Sequence, residues 1–133
     1  MLLTKASEYA LLSLIMISQR NTPQDVDTLS TELGISKSFL AKILQSLAKE
    51  GILKSYKGAH GGFLLAKEPS EFSLKQIIAC AEKKTIKVLE CTTVQGYCPK
   101  NEEDFCKILP FLNKLQAKID NVLDNMSLKD IIS

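Results

Sequence analysis

The chain has 133 residues, of which 45% are hydrophobic and 24% charged, the balance of one soluble domain or a small domain with a helical appendage. A formal net charge of +2 is too small to name nucleic acid as a partner, and no apolar stretch is long enough to cross a bilayer. The charge is unevenly placed: residues 1–67 carry eight Lys/Arg against five Asp/Glu, and residues 68–133 nine against ten, a modest basic footprint on the first half.

The opening MLLTKASEYALLSLIMISQR reads as a buried helix and not a signal peptide. Glu8 and Tyr9 stand at the head of its apolar run, and no small-residue cleavage pattern follows. Thr4 is expected to cap this helix, which runs to about Gln19 and is apolar almost all the way round. Glu8 is the exception, an acid placed where the positive end of a helix favours one. Arg20-Asn21-Thr22-Pro23 then breaks the helix.

From Val26 to Leu65 the chain reads VDTLSTELGISKSFLAKILQSLAKEGILKSYKGAHGGFLL. Val26, Leu29 and Leu33 give a short helix its inward face, with Asp25 or Gln24 opening it and Gly34 stopping it. Ser36 caps the next helix, whose buried face is expected to be Phe39, Leu40, Ile43, Leu44 and Leu47, with Gly51 as its close. Two helices joined by a Gly-centred turn form a helix-turn-helix, and the second commonly enters the major groove of DNA. That helix turns Lys37, Ser38, Ala41, Lys42 and Gln45 outward. Ser, Lys and Gln suit phosphates or base edges, and Ala41 suits a thymine methyl. Ile52–Lys57 alternates as a strand and Phe63–Leu65 can return beside it, so that Gly58–Gly62 forms the tip of a wing. A nucleotide-cradling loop is rejected, because the Lys-Ser/Thr ending is absent and a strand follows. Ser36, Lys57, Gly58, His60 and Gly61 complete the expected DNA-contacting set.

Lys67-Glu68-Pro69-Ser70 interrupts the chain. Ser73 is expected to cap a helix through Glu82, with Cys80 as a small buried side chain. A later helix carries a long apolar stripe of Phe105, Ile108, Leu109, Leu112, Leu115, Ile119, Val122, Leu123 and Met126. Pro110 demands either a start or a kink there. The stripe has little left to pack against within so short a chain, and a symmetric copy is the natural cover, giving a homodimer. Ser127 and Asp130 have the spacing of a capping box for a final turn held by Leu128, Ile131 and Ile132.

Three of the four cysteines, Cys91, Cys98 and Cys106, fall within sixteen residues, separated by six and seven. Thiolates suit zinc, Cu(I) or an iron–sulfur cluster. Structural zinc brings cysteines in closer pairs, whereas wide spacing can wrap a larger cluster. Glu8, Cys80, His60 or a small molecule could supply a fourth ligand. Three free thiols or a thiol–disulfide switch are the alternatives. His60 is the lone histidine, and no base–nucleophile pair accompanies it, which points away from an enzyme.

The residues together resemble the IscR/NsrR family of bacterial winged-helix regulators, over essentially the whole chain. LTKASEYAL is similar to the family's first helix, GISKSFLAKILQSLAKEGIL to its recognition helix, YKGAHGGFLLAK to its wing and NMSLKDI to its terminal signature. The resemblance implies a mainly α fold with a small β wing: a winged helix-turn-helix with a long C-terminal dimerisation helix. Residues 1–82 would form the DNA-binding domain with its reading head at 25–65. Residues 83–104 would form a cysteine-bearing sensor loop, and 105–133 the dimerisation helix and terminal turn. It further implies a cytoplasmic homodimeric repressor of a roughly palindromic duplex DNA operator, with no membrane partner. Its signal would come from an iron–sulfur cluster, 2Fe–2S or 4Fe–4S, on Cys91, Cys98 and Cys106. In one branch an acid of the first helix, here Glu8, completes the ligand set from the other subunit. Two departures stand out. The histidine that another branch places three residues after its third cysteine is Leu109 here, and the glutamate that some members carry in the recognition helix is Ala41. A cluster-free regulator responding to thiol redox or a small molecule is the alternative, and a protein-interaction module that binds no DNA is another.

Overall fold

Residues 3–83 and 107–132 are described by the computed structural model of the chain; Cys91, Cys98 and Cys106 lie outside them. In order they form α1 (Lys5–Ser18), α2 (Val26–Leu33), α3 (Lys37–Lys49), β1 (Leu53–Tyr56), β2 (Gly62–Leu65), a 3₁₀ turn (Pro69–Glu71), α4 (Leu74–Glu82), α5 (Leu109–Asn125) and α6 (Leu128–Ile132).

The helix-turn-helix forms for local reasons. The Asp25 carboxylate caps α2, accepting from the Thr28 N–H at 3.0 Å and the Thr28 hydroxyl at 2.7 Å. Those two bonds hold the Asp25 carboxyl below the usual carboxylate range. Gly34 ends α2 in the left-handed conformation that side chains resist. The Ile35 N–H can then reach back to the Ser30 carbonyl at 3.0 Å, a bond that turns the chain into α3. Leu29, Leu40, Ile43, Leu44, Leu47 and Ile52 pack inward from these elements against Leu14 and Ile17 of α1 and Ile77 and Ile78 of α4. Each fully buried aliphatic contributes on the order of 2 kcal/mol.

The wing is an antiparallel pair with Leu53 opposite Leu65 and Tyr56 opposite Gly62. It carries a third, short rung that the local pattern did not announce. Gln24 and Phe63 exchange both backbone bonds, at 3.0 and 2.8 Å, which ties the wing to the entry of α2. The strand is shorter than its alternation suggests, since Ile52 belongs to the core and Lys57 to the loop.

One expectation about α1 is corrected. The Thr4 side chain makes no cap to its own helix, because it is spent on Glu82 instead. The helix buries Ser7, Ala10, Ser13, Leu14 and Ile17 and leaves Leu12 39% exposed.

Pro110 falls in the first turn of α5 and starts the helix without kinking it, as its missing N–H and fixed φ favour. Leu112 is buried, and Leu123 packs on the core from the same helix. After α5 the chain returns to the head. The Leu74 N–H bonds to Met126 O at 2.8 Å and the Leu128 N–H to Phe72 O at 2.9 Å, and Leu128 is fully buried. The Ser127–Asp130 cap is present, the Ser127 N–H donating to Asp130 Oδ2 at 2.8 Å.

Candidate nucleic-acid interface and thiol segment

Ser36 begins the exposed side of α3, its hydroxyl accepting the Phe39 N–H at 3.5 Å and lying 3.1 Å from the Ser38 hydroxyl. Ser38, Ala41, Lys42 and Gln45 follow at helical spacing and share one face; Ala41 is half-buried and the other three are exposed. Opposite this face, Leu40, Ile43, Leu44 and Leu47 hold α3 to the core. The wing adds Lys57, Gly58 and His60, all exposed, with Gly61 half-buried at the turn where its N–H bonds to Gly58 O at 3.0 Å. The structure thus places every expected DNA-contacting residue on α3, its cap or the wing loop.

Three features of this surface escaped the sequence reading. Phe39 was expected inside and is instead 40% exposed. It meets Tyr9 of α1 edge to face, with ring centroids 5.8 Å apart and planes at 87°. Lys37 is not a free cation: its Nζ lies 2.8 Å from Asp27 Oδ1 of α2. Lys42 and Lys57, by contrast, form no ion pair among the described residues. The third feature is the Gln24 rung that braces the wing.

Of the four candidate metal ligands, only Glu8 lies within the described residues. It is exposed on α1, and its carboxylate meets Lys5 Nζ at 3.0 Å; the Lys5 ammonium also lies 6.0 Å from the Tyr9 ring centre. Among the described residues no group of three or more His, Cys, Asp or Glu side chains could hold a metal ion. Cys80 is half-buried at the foot of α4. Its Sγ donates to the Ser46 carbonyl of α3 at 3.4 Å. Burial pushes its thiol up, the Glu50 charge adds to this and Lys83 opposes it. Among the described residues no helix is long and apolar enough to cross a membrane.

Comparison with known proteins agrees with this geometry. Residues 3–133 match the Rrf2 family, described as an iron-dependent transcriptional regulator. The chain is 26% identical over 135 residues to the HTH-type transcriptional regulator IscR of Serratia proteamaculans, covering all of this chain and 80% of that one. It is 28% identical over 135 residues to the HTH-type regulator NsrR of Bacillus licheniformis, covering 99% and 92%. Its fold is similar to that of CymR, the global cysteine regulator of B. subtilis, with a TM-score of 0.74 at 23% identity over 98% of this chain and 95% of that one. The chain belongs to the Rrf2 family and is a DNA-binding transcriptional regulator, not an enzyme.

Proposed function

We propose that this regulator is a cytoplasmic homodimeric repressor that reads a roughly palindromic operator through α3 and the wing, under the control of an iron–sulfur cluster. The observation that carries the reading is the crowding of Cys91, Cys98 and Cys106 into sixteen residues between a winged reading head and a helix with an uncovered apolar stripe. Three thiols are the donor chemistry that an iron–sulfur cluster takes. Cys91, Cys98 and Cys106 would hold the group in a sensor stretch over residues 83–104 and the start of the dimerisation segment. Glu8, exposed and bound only to a surface lysine among the described residues, would complete the set from the partner subunit. When bound, the cluster supplies sensitivity to oxidants and to its own supply. The chain's own residues do the reading: Lys42, Gln45 and Ser38 from α3, and Lys57 and His60 from the wing.

Protein purified without oxygen is expected to contain iron and acid-labile sulfide, and Cys91→Ser, Cys98→Ser and Cys106→Ser are each expected to lose both. Glu8→Ala should keep part of the iron but bleach faster in air. A colourless protein with neither element after reconstitution would overturn the cluster, and a disulfide among the three cysteines by mass spectrometry would identify a thiol switch.

The contact surface has its own test. Lys57→Ala and Lys42→Ala are each expected to lower the slope of log affinity against log salt by about 1, as one phosphate contact is worth. Asp27→Asn should do the opposite. Freeing Lys37 from an exposed ion pair is expected to strengthen DNA binding about two- to fivefold at low salt, and Lys37→Ala added to it should remove the gain. Equal affinities for Asp27→Asn and the parent would place Lys37 off the DNA.

A further inference from the structure

The first turn of α1 is held by a side chain from the far end of α4. Glu82 brings one carboxylate oxygen, Oε1, to the Thr4 N–H at 3.0 Å, and the Thr4 and Ser7 hydroxyls donate to the same atom, each at 2.5 Å. Ser7 is fully buried, so its hydroxyl depends on this acceptor. Three donors from the opening turn converge on one acidic group, where the helix's positive end favours it. This is the cap that Thr4 does not make for itself.

What the cap fixes is not only α1. Tyr9 leaves the helix one turn later and packs its ring against Phe39, which sits in the first turn of α3 beside Ser36, Lys37 and Ser38. Phe39 is 40% exposed and meets Tyr9, so the placement of α1 bears on where this aromatic lies at the start of the recognition helix. We infer that Glu82 is a positioning residue for DNA reading, acting through Thr4, Ser7 and the Tyr9–Phe39 pair. Lys83 follows in a left-handed conformation, φ 59°, so Glu82 is the last helical residue of the head before the cysteine-bearing stretch of the sequence.

The test uses the full chain and a duplex selected from random sequence by the parent protein, with a scrambled duplex as the non-specific reference. Glu82→Ala is expected to weaken specific binding about tenfold. Affinity for the scrambled duplex and the salt slope should stay unchanged, because the phosphate-facing lysines are untouched. Glu82→Gln, whose amide oxygen still accepts from Thr4 and Ser7, should restore specific affinity to within about twofold. The decisive comparison is made in a Phe39→Ala background, where Glu82→Ala should cost less than about twofold. An equal loss in both backgrounds, a loss shared by the scrambled duplex, or no loss at all would overturn the inference and leave Glu82 as a stability cap. If Glu82→Ala does not fold, Thr4→Val, which removes one hydroxyl donor, takes its place in the same cycle under the same criteria.

Discussion

Gly62→Ala is expected to loosen the wing from the head and to lower stability by about 3 kcal/mol, more than any ordinary surface change. Two costs act at once. Gly62 has φ +149°, where a side chain is strained, and an added Cβ would stand 2.5 Å from the Gln24 carbonyl carbon and 2.6 Å from its oxygen. Those atoms belong to the backbone that exchanges hydrogen bonds with Phe63, so they cannot move without breaking the rung. Gly58→Ala separates the two costs. Gly58 also has a positive φ, +108°, but an added Cβ meets nothing within 4 Å, so only strain remains, about 1 kcal/mol. Thermal unfolding should show Gly62→Ala lower by roughly 10 °C and Gly58→Ala by roughly 3 °C. Equal shifts for the two variants would mean that the Gln24 contact does not brace the wing. Operator affinity should fall with Gly62→Ala even at temperatures where the protein stays folded, since Lys57 and His60 ride on that wing.

Phe111→Lys or Val122→Glu is expected to turn the proposed dimer into monomers. On α5, Phe111 is 63% exposed, Val122 53% and Met126 37%, with Leu115 and Ile119 half-exposed between them. Their spacing of three and four residues is that of a helix seam. The adjoining flank of α5, through Leu112 and Leu123, is already committed to the core. A charge at either position costs the monomer little, because the site faces solvent there. In a symmetric interface the same charge is buried twice, at about 3–5 kcal/mol for each uncompensated ion. Sedimentation should therefore show a monomer at micromolar protein, with unfolding temperature nearly unchanged. Operator affinity should drop by about 100-fold or more, because the two half-sites no longer act as one ligand. A variant that still sediments as a dimer would move the interface elsewhere, with the exposed Leu12 side of α1 as the next surface to probe.

What the sequence made legible was what neighbouring residues decide among themselves. Asp25, Ser36 and Ser73 cap the helices they precede, Gly34 makes the turn, and Ser127 pairs with Asp130, each within three or four positions. Period-based reading located the core face of α3 but made it one residue too wide. Phe39 lies at the edge of that face, and only the presence of Tyr9 from another helix decides that it stays partly outside. The contacts that were missed join distant parts of the chain: Glu82 to Thr4 and Ser7, Gln24 to Phe63, and Asp27 across the turn to Lys37. The first two need the tertiary fold before the partners are near. The ion pair needs the angle between two helices. For the candidate site, the helix and wing residues were legible because exposure follows from the opposite face being apolar. The three cysteines lie outside the described residues, and their role as a donor set stays a proposal from their number and spacing.

The backbone bridge between residues 72–74 and 126–128 gives this regulator a timetable. Leu128 fills a fully buried position in a core that α1, α3 and α4 otherwise build, so a growing polypeptide that has released only the reading head still exposes apolar surface where Leu128 belongs. Contacts closed across so long an intervening stretch form late. The head should reach its final stability only once α5 and α6 have left the ribosome. A truncated translation product carrying α3 and the wing would therefore be a substrate for proteolysis before it could compete for operators.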